Sequence, residues 1–336
     1  MRSDRRDVRN SVPVTVITGF LGSGKTTVLN RLLRAPELAD TAVIINEFGE
    51  VSLDHLLIEQ AIENAVLLKN GCICCTVRGD ILDTIDELFR KRETGELPWF
   101  RRIAIETTGL ADPAPVVHTL TDTNQLCHLD GIVVTADAMH IRAQLQQQAE
   151  ARHQLAFADR ILLTKTDLVA PADADAVEPA IRAFNAHAPI RRVVDGEVTP
   201  DDVFGLGPEE RPANWLRPPA QEHDHAHDHH DHDAISSIVL RAEQPIPGPA
   251  LALWLDSLLS LHGANVLRLK GIARIAGVAR PVVLQAVHHV LHRLVTLSPE
   301  AERAWGGMGT EIVVIQRGLP EAGLRASFEA ALASGG

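Results

Sequence analysis

A glycine-rich segment near the start of the chain has the residue types and spacing of a phosphate-binding loop. Residues 19–26 read G-F-L-G-S-G-K-T and satisfy the pattern G-x-x-x-x-G-K-[ST]. Glycines let the backbone wrap closely around a phosphate, and the amides at a helix N-terminus attract its charge. The residues expected to bind a nucleotide here are Gly19, Gly22, Ser23, Gly24, Lys25, Thr26 and Thr27.

Two side chains of this loop have distinct expected roles in phosphoryl chemistry. Lys25 should reach the β and γ phosphates, and the Thr26 hydroxyl should bind Mg²⁺. A P-loop protein also needs an acidic residue at the end of a neighbouring strand, and the segment 103–109, I-A-I-E-T-T-G, supplies Glu106. Lys25, Thr26 and Glu106 are therefore the predicted catalytic residues.

A second motif predicts which base the nucleotide carries. Residues 163–167, L-T-K-T-D, follow an apolar run and match [N/T]-K-x-D, with Thr164 in the first motif position. An ionised Asp167 can accept hydrogen bonds from the ring N–H and the 2-amino group of guanine, whereas adenine has no amine there and would leave the carboxylate unpaired. Lys165 is expected to lie along the base and ribose. The motif therefore predicts GTP rather than ATP.

Three of the four cysteines lie within four residues, at Cys72, Cys74 and Cys75. A disulfide framework would space its cysteines to close loops, so this cluster indicates a metal or redox site in a reducing compartment. Thiolates at this spacing can converge on a thiophilic ion such as Zn²⁺ or Cu(I). Three ligands leave a fourth tetrahedral position open, which suits a metal that is handed on. A dithiol redox role is the alternative.

Two acidic residues follow the second apolar run of the chain. Glu47 and Glu50 belong to the segment N-E-F-G-E, residues 46–50. Either carboxylate could be the fourth ligand of the thiolate-bound metal or a contact on the magnesium side of the nucleotide. A solvated acid is equally compatible with the sequence.

A histidine-rich stretch, E-H-D-H-A-H-D-H-H-D-H-D, occupies residues 222–233. It cannot bury apolar surface, so we expect a solvated linker. Neutral imidazoles at this density bind Zn²⁺, Ni²⁺, Co²⁺ or Cu²⁺ loosely and without selectivity. The candidate ligands are His223, His225, His227, His229, His230 and His232.

The elements that must position these motifs alternate in type over the first 200 residues. Such alternation of β-branched runs with helical patterns is typical of a parallel sheet with crossover helices. The predicted strands are 14–17, 42–45, 102–105, 131–134 and 160–163, with 193–194 as a further candidate, and the predicted helices are 27–33 and 80–89. The sequence therefore predicts an α/β domain with a mostly parallel sheet.

After the histidine-rich stretch, the pattern is that of a small α+β domain. The predicted strands are 235–240, 265–275, 281–290 and 311–316, and the predicted helices are 249–261 and 320–332. The expected organisation is a P-loop domain over 12–212, a flexible linker over 213–234 and a C-terminal domain over 235–334.

The composition excludes several other classes of protein. The 336 residues carry a formal net charge of −12, which disfavours a nucleic-acid binder because phosphate neutralisation needs clustered Lys and Arg. No apolar run approaches the roughly 18 residues needed to cross a membrane, and the N-terminus M-R-S-D-R-R-D-V-R-N has no apolar core typical of a secretion signal. A cytoplasmic location is expected.

Taken in order, the segments GFLGSGKTT, NEFGE, GCICC, ETTGLADP and TKTD resemble those of the CobW-like family of metal-associated P-loop GTPases, and most of all its YjiA-like bacterial members. The resemblance runs from about residue 13 into the C-terminal domain. It implies a GTPase domain of the SIMIBI type joined to a CobW C-terminal α+β domain. It also implies weak intrinsic GTP hydrolysis and delivery of a metal, most often zinc, with Cys72, Cys74 and Cys75 as the site of the transferred metal.

The leading hypothesis is therefore a GTP-driven zinc metallochaperone that uses GTP, Mg²⁺ and Zn²⁺. It requires a metal-receiving client protein, and the protein could be a homo-oligomer. Three alternatives stay open. The first is a chaperone for cobalt, nickel or iron, the second is a metal-storage protein that uses the histidine-rich stretch, and the third is an ATP-dependent kinase, which Asp167 disfavours.

Overall fold

The computed structural model describes residues 11–45, 66–69, 77–122, 126–208, 215 and 235–333, and for 66–69, 77–80 and 121–122 it describes the backbone alone. Within this part of the chain two compact units are present. The first comprises the described residues up to Gln154 together with Ala158–Val177 and Ile190–Gly205, and the second comprises Leu155–Phe157, Glu178–Pro189 and the described residues from Leu206 onward. The predicted boundaries at 212 and 234 fall outside the described residues and stay predictions.

The first part of the chain alternates strands with helices. Its strands are β1 (Val12–Gly19), β2 (Thr41–Ile45), β3 (Val66–Lys69), β4 (Arg102–Glu106), β5 (Cys127–Asp137), β6 (Arg160–Thr164) and β7 (Ile190–Arg192). Its helices are α1 (Lys25–Leu32), α2 (Val77–Thr94), α3 (Ala114–Asp122), α4 (Ile141–Gln147), α5 (Ala149–Phe157), α6 (Pro171–Arg182) and α7 (Pro200–Val203).

The seven strands form one sheet in the order β3-β2-β4-β1-β5-β6-β7, and every neighbouring pair is parallel. The central strand β1 is buried on both faces, because Val14, Thr15, Val16 and Ile17 are all inaccessible to solvent. Parallel strands covered on both faces lose the polar alternation of a half-exposed sheet, and this explains why the strands read as continuous apolar runs. The predicted α/β class is confirmed.

Helix α2 follows the predicted apolar stripe. Ile81, Ile85, Leu88 and Phe89 are buried, at positions three and four residues apart along one face of the helix. The helix is longer than predicted and ends at Thr94, directly before Gly95, which has a positive φ.

The C-terminal part is an antiparallel sheet with helices. Its elements are β8 (Ile235–Ala242), α8 (Gly248–His262), β9 (Val266–Ala273), β10 (Val282–Val287), β11 (Val290–Leu291), β12 (Val295–Thr296), α9 (Pro299–Trp305), β13 (Thr310–Arg317) and α10 (Glu321–Ala333). The strands are ordered β11-β10-β9-β13-β8, with β12 on β10. Helices α8 and α10 meet at Trp254, whose indole N–H donates to Ser327 Oγ at 3.1 Å and whose ring packs edge-on against Phe328. This arrangement confirms the predicted small α+β domain.

Two predicted strands differ from the structure. The strand predicted near 193–194 lies instead at Ile190–Arg192. These residues form the strand because they pair with β6, although two of them are exposed arginines and the apolar residues come later. The run 281–290 is not one strand, because β10 ends at Val287 and His288 takes a left-handed conformation with φ 50°. Within the described residues, no helix is long and apolar enough to cross a membrane.

Candidate nucleotide site

The predicted chemical motifs follow strands that end together at one edge of the first sheet. Lys69, the last residue of β3, is paired with Ile45 at the end of β2, and Ile45 is paired with Glu106 at the end of β4. Glu106 is paired in turn with Ile17 of β1, two residues before the P-loop begins. Since neighbouring strands lie about 4.8 Å apart, the ends of β3 and β4 are roughly 10 Å apart. This edge is therefore the candidate site.

The P-loop connects the carboxyl end of β1 to the first turn of α1. Helix α1 begins at Lys25 without a side-chain cap, and its first intrahelical bond runs from the Val28 N–H to the Gly24 carbonyl. The amides of a helix's first turn have no acceptor inside the helix. Together with the positive end of the helix dipole, these amides give the loop the geometry and charge that suit an anion such as a phosphate.

Side chains from β5 and β6 hold the P-loop in place. Ser23 Oγ lies 2.6 Å from Thr135 Oγ1, and the Thr164 hydroxyl donates to the Ser23 carbonyl at 2.7 Å. Thr164, predicted only as part of the base-reading motif, therefore also joins the end of β6 to the phosphate loop. Its short hydroxyl reaches a main-chain oxygen that lies directly against the strand.

Lys25 lies inside the loop. Its ammonium donates to the carbonyls of Gly19 at 2.9 Å and Phe20 at 3.2 Å, and the residue is buried. The positive charge is thus held within the curve of the loop, where a phosphate group would enter.

The predicted magnesium ligands meet in the structure. Thr26 Oγ1 donates to Glu106 Oε1 at 2.8 Å, although the two residues are 80 positions apart in the sequence. Glu106 is only 5% exposed, and the next residue is fixed by the Thr107 N–H bond to the Ile17 carbonyl at 3.0 Å. A hydroxyl and a carboxylate are hard oxygen donors, so this pair fits Mg²⁺ and matches the usual P-loop arrangement.

The base-reading motif lies in a short turn after β6. Lys165 has a left-handed conformation with φ 58°, and Thr166–Leu168 forms a single 3₁₀ turn on which Asp167 is exposed to solvent. The Lys165 ammonium donates to the Gly22 carbonyl at 2.8 Å and to Asp137 Oδ2 at 2.7 Å. The lysine therefore lies beside the P-loop, and the carboxylate of Asp167 is accessible to a base.

The segment after β7 also borders this turn, and the sequence analysis missed its contribution. The Val193 N–H donates to the Leu163 carbonyl at 2.8 Å, and Asp195 and Gly196 both have positive φ angles. The segment 193–196 therefore turns sharply beside the base-reading motif. The signal available in the sequence was the Asp-Gly pair, which is typical of a turn.

Gln154 is a second residue that the sequence analysis missed. It lies on α5, is 1% exposed, and its side-chain amide donates to the carbonyls of Gly109 and Ala111, both at 3.1 Å. It thereby holds the segment that follows Glu106. Gly109 lies so close to the P-loop that a side chain at this position would collide with Leu21. A lone glutamine on a helix gives no sequence signal for this contact.

The remaining predicted ligands lie outside the described residues. These are Glu47, Glu50, Cys72, Cys74, Cys75, His223, His225, His227, His229, His230 and His232. Among the residues that are described, no group of three or more His, Cys, Asp or Glu side chains is arranged to hold a metal ion. Cys127, the fourth cysteine, is buried in β5, and burial raises the pKa of its thiol to about 12.

A seven-stranded parallel sheet, a P-loop at its carboxyl edge and a Thr-Lys-x-Asp turn two strands away define a P-loop GTPase. The chain belongs to the CobW/HypB/UreG family: the nucleotide-binding domain of that family matches residues 13–192, and the C-terminal domain of the cobalamin synthesis protein CobW matches residues 235–332. The predicted family is confirmed.

Individual relatives are similar over nearly the whole chain. The zinc chaperone YjiA of Escherichia coli (strain K12) is 34% identical over 324 residues, which are 95% of this chain and 98% of the relative. The zinc chaperone CobW of Sinorhizobium sp is 31% identical over 96% of this chain and 98% of its own length. A crystal structure of Zn(II)-bound YjiA GTPase from E. coli is similar with a TM-score of 0.73 and 29% identity, covering 96% of this chain and 99% of that one.

Proposed function

We propose that this protein is a GTP-hydrolysing metallochaperone that binds zinc at Cys72, Cys74 and Cys75 and delivers it to a client protein. The relatives named as zinc chaperones support zinc as the metal. Weak intrinsic hydrolysis is expected from the resemblance to the CobW-like GTPases. The cytoplasmic location and the existence of a metal-receiving client protein stay predictions.

The observation that supports coupling of GTP to zinc is the register of the strand ends. β3 ends at Lys69, three residues before Cys72, and Lys69 lies two strands across the sheet from Glu106. Three residues span at most about 11 Å. Lys69, the last described residue before the cysteine segment, therefore ends on the same sheet edge as the carboxylate that we assign to magnesium, and only a short piece of chain separates it from Cys72. In the sequence, Glu47 and Glu50 follow β2, the strand between β3 and β4.

In the hydrolysis step, the side chains that meet at the P-loop would act together. Lys25 would leave its carbonyl partners to neutralise charge on the β and γ phosphates, and Thr26 and Glu106 would hold Mg²⁺ directly or through water. Asp167 would select guanine. These roles use groups that already lie at the sheet edge.

Transfer of the metal would follow from linkage between the two sites. A γ-phosphate and its Mg²⁺ order the loops around them, and the loops after β2 and β3 leave the same edge of the sheet. A nucleotide can change zinc affinity only if it binds the ordered state of these loops with a different affinity from the other state. Zinc must then change nucleotide affinity by the same factor.

The test is zinc affinity by chelator competition with a non-hydrolysable GTP analogue, with GDP and without nucleotide. It would be run on the full chain and on the chain lacking residues 223–232. Coupling of the usual size predicts a difference of about 5- to 150-fold between GTP analogue and GDP. Cys74→Ala should abolish the difference, and the matched control Cys127→Ala should retain it because Cys127 is a buried residue of the sheet.

Each contrary outcome points to a different explanation. Tight zinc binding that does not respond to nucleotide contradicts the chaperone mechanism and favours a structural metal. Zinc binding that disappears with residues 223–232 and is unaffected by Cys74→Ala favours metal storage in the histidine-rich stretch. Absence of GTP binding contradicts the assignment of the nucleotide site.

A further inference from the structure

A buried carboxylate that the sequence analysis did not single out lies next to the base-reading motif. Asp137 is the last residue of β5, and its side chain is 3% exposed. Its Oδ1 atom accepts the Met139 N–H at 2.8 Å, and its Oδ2 atom accepts the Lys165 ammonium at 2.7 Å. The His140 ring nitrogen Nδ1 lies 3.0 Å from the same Oδ2 atom.

The charge on this carboxylate is maintained by its partners. Burial has the largest single influence and would raise the pKa of Asp137, but the bonds from Lys165, His140 and the Met139 N–H together lower that pKa below its ordinary value. Asp137 is therefore ionised at neutral pH and forms a charge-assisted hydrogen bond to Lys165.

Lys165 is held at two points by this contact and by the P-loop. An ammonium has three N–H donors, and two of those of Lys165 go to Asp137 and the Gly22 carbonyl. One donor is left for the nucleotide. A lysine without such partners would have to lose the rotamer freedom of a four-carbon side chain when the nucleotide binds.

We propose that Asp137 is a positioning residue for nucleotide binding, which fixes the Lys165 ammonium beside the P-loop before the nucleoside arrives. This inference rests on the proposed GTP-binding function. Because both carboxylate oxygens of Asp137 are buried and bonded to protein groups, Asp137 acts through Lys165 and sets affinity for the nucleoside without selecting guanine. Selection of guanine belongs to Asp167.

The test is a double-mutant cycle with Asp137→Asn and Lys165→Met, read as the affinity for GDP and for IDP, which lacks the 2-amino group. Asparagine keeps an oxygen for the Met139 N–H while it removes the charge that holds Lys165. Ordering of one long side chain predicts a loss of about three- to tenfold for Asp137→Asn, equal for GDP and IDP. In the Lys165→Met background, Asp137→Asn should cause no further loss. With GTP the change should fall on KM, with kcat within about twofold.

Asp202→Asn is the matched control for stability. Asp202 is also a buried carboxylate that accepts a main-chain N–H, from Thr199, and pairs with an arginine, Arg160. Arg160 is the first residue of β6, so this pair lies at the amino edge of the sheet, opposite the P-loop. Asp202→Asn should lower the thermal unfolding midpoint and leave GDP affinity unchanged.

The outcomes separate this inference from the proposed function. Wild-type protein that binds no GDP contradicts the proposed function itself. If the wild-type protein binds GDP, two results overturn the positioning role alone. One is that Asp137→Asn lowers stability without lowering GDP affinity. The other is that the losses of GDP affinity caused by Asp137→Asn and Lys165→Met add in the double variant. An unequal loss for GDP and IDP also overturns it, because it would assign base selection to Asp137.

Discussion

The Thr26 hydroxyl donates to the Glu106 carboxylate at 2.8 Å, which joins the first turn of α1 to the end of β4. This contact brings the two predicted magnesium ligands together across the sheet. We expect Glu106→Gln to lower kcat for GTP hydrolysis by on the order of 10²-fold, because a neutral amide is a poorer magnesium ligand and a less firmly held Mg²⁺ stabilises less of the negative charge of the transition state. GDP binding in EDTA should change little. Steady-state hydrolysis measured against magnesium concentration checks this.

The control for this prediction is Glu302→Gln, which changes a carboxylate on α9 of the C-terminal unit, where it pairs with Arg274. It should leave the magnesium dependence as in the wild-type protein. A Glu106→Gln variant with the wild-type magnesium profile would contradict the assignment of Glu106 to the metal.

Two P-loop glycines with different surroundings give a matched pair of variants. Gly19 has φ 143°, and a side chain there would lie 2.3 Å from the Thr135 carbonyl, whereas at Gly22, with φ 70°, a side chain would meet nothing within 4 Å. We expect Gly19→Ala to abolish measurable GDP binding, because β1 or β5 must shift. Gly22→Ala should cost about 1–2 kcal/mol of backbone strain. Calorimetric titration with GDP, together with thermal unfolding, checks this. If the two variants lost GDP affinity and stability equally, the loop would be able to relax around a side chain at Gly19, contrary to the prediction.

Asp167 allows a test of base recognition in which binding is gained. Asp167→Asn replaces an acceptor of two N–H groups by an amide, so GDP affinity should fall by on the order of 10²-fold or more. Xanthine has a carbonyl in place of the 2-amino group, and the new amide N–H can donate to it. The affinity of the Asp167→Asn variant for xanthosine diphosphate (XDP) should therefore rise. Asp167 is exposed, so stability should not change.

Asp173→Asn is the control for base recognition, because Asp173 is an exposed residue in the first turn of α6, six positions further along the chain. It should retain the wild-type preference for GDP. If Asp167→Asn lowered GDP and XDP affinity equally, base recognition would have to be assigned elsewhere.

Cys127 should differ in reactivity from the other three cysteines. Burial, aided by Asp86, raises the pKa of its thiol to about 12 from 9.0, so at pH 8 only about one thiol in 10⁴ is ionised. We expect native, metal-free protein at pH 8 to react with a thiol reagent at three cysteines and at the fourth only after unfolding. Rapid labelling of Cys127 in the native protein would contradict the burial.

The same shift predicts how stability depends on pH. The pKa of Cys127 is higher in the folded state than in the unfolded state, so its contribution to stability is complete below pH 9 and is lost as the pH rises toward 12. Cys127→Ala should therefore reduce the fall in the free energy of unfolding between pH 9 and pH 11. An identical pH dependence in the two proteins would be the contrary result.

Some elements were missed because local sequence does not specify them. The short helices α3 and α4 and the helix α6 were not predicted. Helix α5 was not predicted either, because its buried residues do not fall on a single face; these are Ala151, Leu155, Ala156 and Phe157. The turn at His288 contains neither glycine nor proline, so nothing in the sequence separates β10 from β11. In these places long-range packing selects the conformation.

The sequence by itself determined that this protein is a P-loop GTPase. The P-loop, the Glu106 strand end and the Thr-Lys-x-Asp turn can be recognised because each is a short segment whose function depends on its own residue order. Only the tertiary structure decided which of these segments meet. Neighbouring strands of a parallel sheet are distant in sequence, since each crossover adds a helix, so the strand order β3-β2-β4-β1-β5-β6-β7 could not be read from the chain. That order brings three pairs of residues into hydrogen-bonding contact: Thr26 with Glu106, Thr164 with Ser23, and Asp137 with Lys165.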